Sequence, residues 1–124
     1  MARQIKITAG DVSAMAALND SGMANLIWEA CPIKSTARTW GDEIYFDIDV
    51  DTEGEDLKPT VGMGDLAYWP PGPAFCIFFG PTPMSSGDEI RPASPVSIFG
   101  QVDGDPTVFK AVRSGTPITI ERVE

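Results

Sequence analysis

The stretch Gly64–Pro83, GDLAYWPPGPAFCIFFGPTP, decides the fold of this chain. Two apolar runs, Asp65–Trp69 and Phe75–Phe79, flank a proline-rich corner within it. Short apolar runs that are bounded by proline and glycine are typical of buried strands. The sequence therefore predicts two short, largely buried strands that a stiff corner holds apart. The stretch contains no pair of acid and base residues suited to catalysis.

Alternating apolar residues predict further strands on both sides of this stretch. The clearest is Ile44–Val50, in which every second residue is a large apolar one. The other predicted strands are Gln4–Thr8, Val12–Leu18, Val96–Val102 and Pro117–Val123.

Two helices are predicted among these strands. An amphipathic helix spans Ser21–Cys31, because capping residue types precede it, Pro32 ends it, and one face carries Met23, Leu26, Ile27 and Ala30. A second, shorter helix begins at Asp105 and Pro106 and is closed by Gly115, with an apolar face of Val108, Phe109 and Val112.

Many short strands and few helices predict a mainly β fold. We expect a small closed β-barrel of about eight strands, with one principal helix capping an open end and a short second helix. Closure of the barrel would remove the exposed strand edges that an apolar, proline-rich chain must otherwise protect. The length of 124 residues fits a single domain, residues 1–124.

The composition excludes several classes of chemistry. The chain has no histidine, which excludes histidine acid–base catalysis, Ser-His-Asp and Cys-His arrangements, and histidine-ligated zinc or iron. Nine Lys and Arg against eighteen Asp and Glu give a net charge of −9. Because an acidic surface repels phosphate backbones and anionic lipids, we expect neither nucleic acid nor membrane as a partner.

The two cysteines, Cys31 and Cys76, lie among apolar residues and form no CxxC pair. Two thiols cannot build a cysteine-rich zinc site, so we expect both to be buried, reduced side chains and expect no cofactor. The first ten residues lack the apolar core of a signal peptide, and no stretch approaches the length that spans a membrane. These features predict a cytoplasmic location.

An acidic run, Asp47–Asp56, begins with DIDVDTEG, which is similar at first sight to a calcium loop. An EF-hand loop needs glycine at its sixth position and glutamate at its twelfth, and counting from Asp47 these positions hold Thr52 and Lys58. We therefore predict a solvated strand face and loop, and no metal site.

Three motifs carry a family resemblance: Trp40–Phe46 (WGDEIYF), Gly64–Gly72 (GDLAYWPPG) and Phe78–Pro83 (FFGPTP). Together they resemble the small prokaryotic cyclophilin-like family, whose cellular role is generally unassigned. The order of predicted elements also resembles the cyclophilin fold, with Phe99–Val102 (FGQV) followed by a short helix and the closing strand Ile118–Ile120. The resemblance implies the cyclophilin-like barrel over nearly the whole chain.

Cyclophilins are peptidyl-prolyl isomerases, which use an arginine to polarise the prolyl amide beside an apolar pocket for the proline ring. The resemblance implies that role for Arg38, the only arginine in the stretch Ser35–Trp40 (STARTW). The residues that flank the arginine in cyclophilins are absent, and Met84–Pro95 lacks their pocket-rim tryptophan and histidine. The alternative for Arg38 is a surface ion pair with Asp42 or Glu43.

Aromatic side chains form the second group of candidates: Trp40, Tyr45, Tyr68, Trp69 and Phe78. Tyr45 and Phe78 have the opposite strand parity to their large apolar neighbours, so we expect them to point away from the innermost core. These aromatics are candidates for an apolar wall that binds a proline-containing peptide or small ligand. The alternative is packing under loops or between protomers of a homo-oligomer.

The sequence thus predicts a binding module of unassigned cellular role that holds a peptide or small ligand on an aromatic barrel face. The alternative is a peptidyl-prolyl isomerase with Arg38 as the residue that polarises the amide. Binding ranks first because the other residues of the isomerase site are missing.

Overall fold

Nine strands form one antiparallel sheet in the computed structural model, which describes residues 3–123. The strands are β1 (Gln4–Ala9), β2 (Val12–Leu18), β3 (Ile33–Thr36), β4 (Arg38–Thr39), β5 (Glu43–Asp47), β6 (Asp65–Trp69), β7 (Ala74–Phe78), β8 (Ser97–Val102) and β9 (Pro117–Val123). An α-helix, α1 (Gly22–Ala30), follows β2, and a short 3-10 helix (Pro106–Ala111) follows β8. The predicted mainly β class with one principal and one short helix is confirmed.

The two edge strands of the sheet are neighbours in the sequence. The strand order is β3-β9-β1-β2-β8-β6-β7-β5-β4, so β3 and β4 are the opposite edges, yet only Ala37 separates them in sequence. Ser35 Oγ on β3 donates to the carbonyl of Asp47 on β5 at 3.0 Å. Within residues 3–123, backbone hydrogen bonds do not join β3 to β4, so closure of the barrel stays a prediction.

Helix α1 begins and ends where the sequence predicts. The hydroxyl of Ser21 caps its first turn by accepting from the backbone N–H of Ala24 at 3.1 Å. The helix buries Met23, Ala24 and Ile27 against the sheet, whereas Leu26, expected on that face, is 43% exposed. The 3-10 helix uses the carboxylate of Asp105 as its cap and buries one large side chain, Phe109.

The main core lies on the concave face of the sheet. Three phenylalanines stack at its centre, with ring centroids 4.8 Å apart for Phe46 and Phe75 and 4.9 Å apart for Phe75 and Phe99. Both cysteines are buried and free, as predicted.

Strand β7 is buried on both of its faces. All five of its residues are at most 2% exposed, because Phe75 and Ile77 point into the main core and the alternate residues point the other way. On that second face they join a smaller apolar cluster of Ala67, Ala74, Cys76, Phe78, Ile90 and Val96. A continuous apolar run is what a strand covered on both faces requires. The prediction that Phe78 points away from the innermost core is confirmed.

Two buried hydroxyl groups hold the acidic segment 48–64 against the sheet. Tyr68 Oη donates to the carbonyl of Val50 at 2.7 Å and accepts from the N–H of Thr52 at 3.1 Å. Ser97 Oγ donates to the carbonyl of Glu55 at 2.7 Å and accepts from its N–H at 2.8 Å. The backbone of this segment is therefore tied down, and the carboxylate of Glu55 accepts from the backbone N–H of Met23 in the first turn of α1.

We expect Tyr68→Phe to lower the free energy of unfolding by about 1–2 kcal/mol, because the lost hydroxyl leaves buried backbone groups of the segment unpaired. Tyr45→Phe is the matched control, since Tyr45 is only half-buried. Urea titration measures the stability, and hydrogen exchange at Thr52 should accelerate only in the first variant. Equal stability losses in both variants would contradict this role of Tyr68.

Candidate functional site

A tight turn at Gly41 and Asp42 sets the side chains of Trp40 and Glu43 next to each other. The backbone N–H of Trp40 donates to the carbonyl of Glu43 at 2.9 Å, and the N–H of Glu43 donates back at 3.2 Å. Gly41 has φ of +60°, a conformation that favours glycine. Directly paired residues of a hairpin project to the same face, so Trp40 and Glu43 lie together, with Tyr45 next on that face.

This turn packs on the segment that follows β7. The N–H of Asp42 donates to the carbonyl of Pro81 at 2.9 Å, and the N–H of Phe79 donates to the carbonyl of Asp42 at 3.0 Å. A Cβ on Gly80 would come within 2.8 Å of the Cβ of Asp42, so this contact requires glycine. The WGDEIYF and FFGPTP motifs therefore meet as one interlocked unit that fixes the start of β5.

The segment 81–96 covers the second face of the sheet and is held by its own hydrogen bonds. The hydroxyl of Ser85 accepts from the backbone N–H groups of Thr82 and Arg91, each at 3.0 Å, and the hydroxyl of Thr82 donates to the carbonyl of Arg91. The indole Nε1 of Trp69 on β6 donates to Ser94 Oγ at 2.7 Å. These bonds position the segment as a fixed wall opposite the sheet.

Between this wall and the sheet lies a cleft of about 280 Å³. We call it the aromatic cleft, and it is lined by Trp40, Glu43, Tyr45, Trp69, Pro92, Ala93 and Val96. Its walls are almost entirely aromatic and aliphatic, and Glu43 carries the single carboxyl group among the lining residues. Such a cleft can hold an apolar group and present one acidic group to it.

Glu43 is only 5% exposed. Burial raises the pKa of its carboxyl from 4.5 to about 7, and the neighbouring Cys76 thiol opposes that rise. Within residues 3–123, no lysine or arginine forms an ion pair with this carboxyl. Near neutral pH the carboxyl is therefore close to the midpoint of its titration.

Cys76 on β7 pairs with Tyr45 in the strand register, neighbours the Glu43 carboxyl and is buried. Burial, and then the charge of Glu43, raise the pKa of the Cys76 thiol well above its ordinary value. A nucleophilic cysteine needs the opposite shift, because the thiolate is the reactive form. Cys76 therefore belongs to the buried apolar cluster on this face and is not a nucleophile.

The structure brings three of the five predicted aromatics together: Trp40, Tyr45 and Trp69 line the aromatic cleft. Phe78 lies in the cluster beneath it and is fully buried. Tyr68 points to the other face of the sheet, where its hydroxyl holds the acidic segment.

Arg38 lies on β4 opposite Tyr45 and does not line the aromatic cleft. Its guanidinium pairs with the carboxylate of Asp47 at 3.2 Å, and both side chains are more than half exposed. The partner is therefore neither Asp42 nor Glu43. The proposed catalytic role of Arg38 remains a prediction.

Sequence reasoning missed four lining residues: Glu43, Pro92, Ala93 and Val96. Glu43 has the same strand parity as Tyr45, which was placed on the second face, and that parity was the available signal. Pro92, Ala93 and Val96 lie in the loop that leads into β8. No local sequence pattern indicates that this loop packs over the sheet.

The structure reports on metals and membranes only for residues 3–123. No group of three or more Cys, Asp or Glu side chains is arranged there to hold a metal ion. No helix in that range is long and apolar enough to cross a membrane.

The family model of cyclophilin-like proteins matches residues 3–121. The chain belongs to the cyclophilin-like family. The solution structure of a hypothetical protein from Archaeoglobus fulgidus is similar to this cyclophilin-like protein with a TM-score of 0.83 and 39% sequence identity. The match covers 98% of this chain and 95% of the archaeal one. A search of curated proteins found no match.

The raised pKa of Glu43 makes the stability of this cyclophilin-like protein depend on pH. The folded state holds the proton more tightly than the unfolded state, so this group makes stability fall as pH rises from about 4.5 to about 7. Glu43→Gln cannot ionise and is free of that loss. We expect it to gain about 2–3 kcal/mol relative to wild type between pH 5 and pH 8.

Urea titrations of both proteins at pH 5 and pH 8 measure this difference. Glu121→Gln is the matched control, because it removes the same charge from an exposed position on β9. A relative gain of the same size in both variants would contradict the assignment to the buried carboxyl.

Proposed function

We propose that this cyclophilin-like protein is a binding module that takes an apolar group of a small ligand or peptide into the aromatic cleft. The observation that carries the proposal is the convergence of three aromatic side chains and one buried carboxyl on a single cavity. Preformed apolar clefts with few polar groups are the usual form of ligand sites. Family membership supports the barrel but assigns no ligand.

The size of the cleft limits what it holds. Its volume is about 280 Å³. That suits a proline ring, a branched side chain or a small free ligand, and not a folded domain. A peptide would therefore insert one side chain and lie with its remaining residues across the mouth.

The cleft is preorganised, which favours binding. The Trp69 side chain is fixed by its bond to Ser94, the Trp40 backbone by the tight turn, and the covering segment by the Thr82 and Ser85 bonds. Because these groups are ordered before a ligand arrives, less conformational entropy is lost on binding.

We expect neutral proline ligands to perturb two of the three tryptophans. N-acetyl-L-prolinamide at millimolar concentration should shift the indole N–H signals of Trp40 and Trp69 in ¹H–¹⁵N NMR spectra. Trp28 is the internal reference, since the guanidinium carbons of Arg3 and Arg122 lie 5.1 and 5.0 Å from its ring centre and it does not line the cleft.

Ala93→Trp provides the blocking variant, because Ala93 is exposed and lines the cleft. It should abolish the shifts without loss of stability. Ala111→Trp, at an exposed position on the 3-10 helix, is the matched control and should retain them. Equal movement of all three indole signals, or none across a set of neutral amides, would argue against the cleft as a binding site.

The isomerase alternative gives a different expectation, namely an acceleration that depends on Arg38. That arginine pairs with Asp47 outside the cleft lining, so we expect none. Wild type and Arg38→Ala should both leave prolyl isomerisation of a proline-containing model peptide at its uncatalysed rate. Their stabilities should agree within about 0.5 kcal/mol, since exposed ion pairs contribute little. Acceleration by wild type that is lost in Arg38→Ala would establish the isomerase instead.

A further inference from the structure

The carboxyl of Glu43 lacks a cationic partner in the part of the chain that the structure describes. The other titratable groups that face it are the Cys76 thiol on β7 and the Tyr45 phenol on its own strand. Strand β6 contributes Trp69, and the covering segment contributes only Pro92, Ala93 and Val96 to the cleft. A buried carboxylate is costly unless it is paired, so the Glu43 carboxylate needs a cationic partner that the described chain does not supply.

The aromatic walls favour a positively charged group as the missing partner of the Glu43 carboxylate. The face of an indole or phenol ring carries negative electrostatic potential and attracts cations. Elsewhere in the described chain Trp28 already has two such partners, with the guanidinium carbons of Arg3 and Arg122 at 5.1 and 5.0 Å from its ring centre. Within residues 3–123, Trp40 and Trp69 have no comparable cation.

We propose that the group taken up by the aromatic cleft is a small organic ammonium, held by the Glu43 carboxylate and the faces of Trp40, Tyr45 and Trp69. This inference rests on the proposed binding function and names the chemical class of its ligand. An alkylated ammonium suits apolar walls better than a metal ion does, because it presents carbon to the rings and is weakly hydrated. Aromatic cages for quaternary ammonium groups use the same physics.

A neutral ligand would use the same carboxyl in the opposite way. A protonated Glu43 would donate a hydrogen bond to a carbonyl, so binding would weaken as pH rises. An ammonium needs the ionised form, so its binding strengthens as pH rises. With the carboxyl titrating at about 7, ammonium affinity should increase about tenfold between pH 6 and pH 8.

The test compares choline with 3,3-dimethylbutan-1-ol, its neutral isostere, by the indole signals of Trp40 and Trp69 at physiological salt. We expect wild type at pH 8 to bind choline at least tenfold more tightly than the isostere. Glu43→Gln should remove that preference and its pH dependence. Glu121→Gln lowers the net negative charge equally from an exposed site and should change neither, which excludes long-range attraction by the acidic surface.

Three results would overturn the proposal: equal or tighter binding of the isostere, choline affinity that falls with rising pH, or no choline response at pH 8. In the first two cases a ligand still binds at the cleft, so the binding function stands and only the ammonium is wrong. In the third case the isostere and N-acetyl-L-prolinamide decide the broader question. If either one shifts Trp40 and Trp69, the binding function stands and only the ammonium is wrong. If neither does, the binding function fails as well.

Discussion

The burial of β7 on both faces is the constraint on which the rest of this structure depends. Every residue of this strand is apolar, so one face packs against the main core and the other face must also be shielded from water. Covering that second face requires a long segment of chain, and residues 81–96 supply it. The cover packs on this face through Ile90 and Val96 and bonds to Trp69 through Ser94, and it leaves the aromatic cleft between itself and the sheet.

The carboxyl of Glu43 is an ionisable group in apolar surroundings. Its neighbours are aromatic or aliphatic, and its burial disfavours the charged form without an ion pair in the described chain to compensate. An apolar residue at this position would complete the cover more stably. This cost is the reason for proposing a binding site at Glu43, where a ligand would supply the missing partner.

The sequence predicted most elements because their signals are local. The pattern of β2, β6 and β9 gives their bounds directly, and Ser21 marks the cap of α1. The sequence does not predict strands β3 and β4, because they are short edge strands. Strand β4 has only two residues, too few to show an alternating pattern. Helical spacing predicts Leu26 on the buried face of α1, but Leu26 is exposed because packing decides how the helix is rotated against the sheet. At the site, residue type and strand parity predict Trp40, Tyr45 and Trp69, whereas no sequence pattern predicts the loop residues.

The sequence by itself determined the period of each strand, and therefore that Tyr45 and Phe78 leave the main core together, because side chains alternate across a pleated strand whatever surrounds it. It also excluded histidine chemistry outright. Only the tertiary structure decided that the second face is covered, that Glu43 is buried and not solvated, and that Arg38 turns to Asp47. Burial and charge pairing depend on which distant segment lies above a residue, and the aromatic cleft is lined by residues far apart in the chain, such as Trp40 and Pro92.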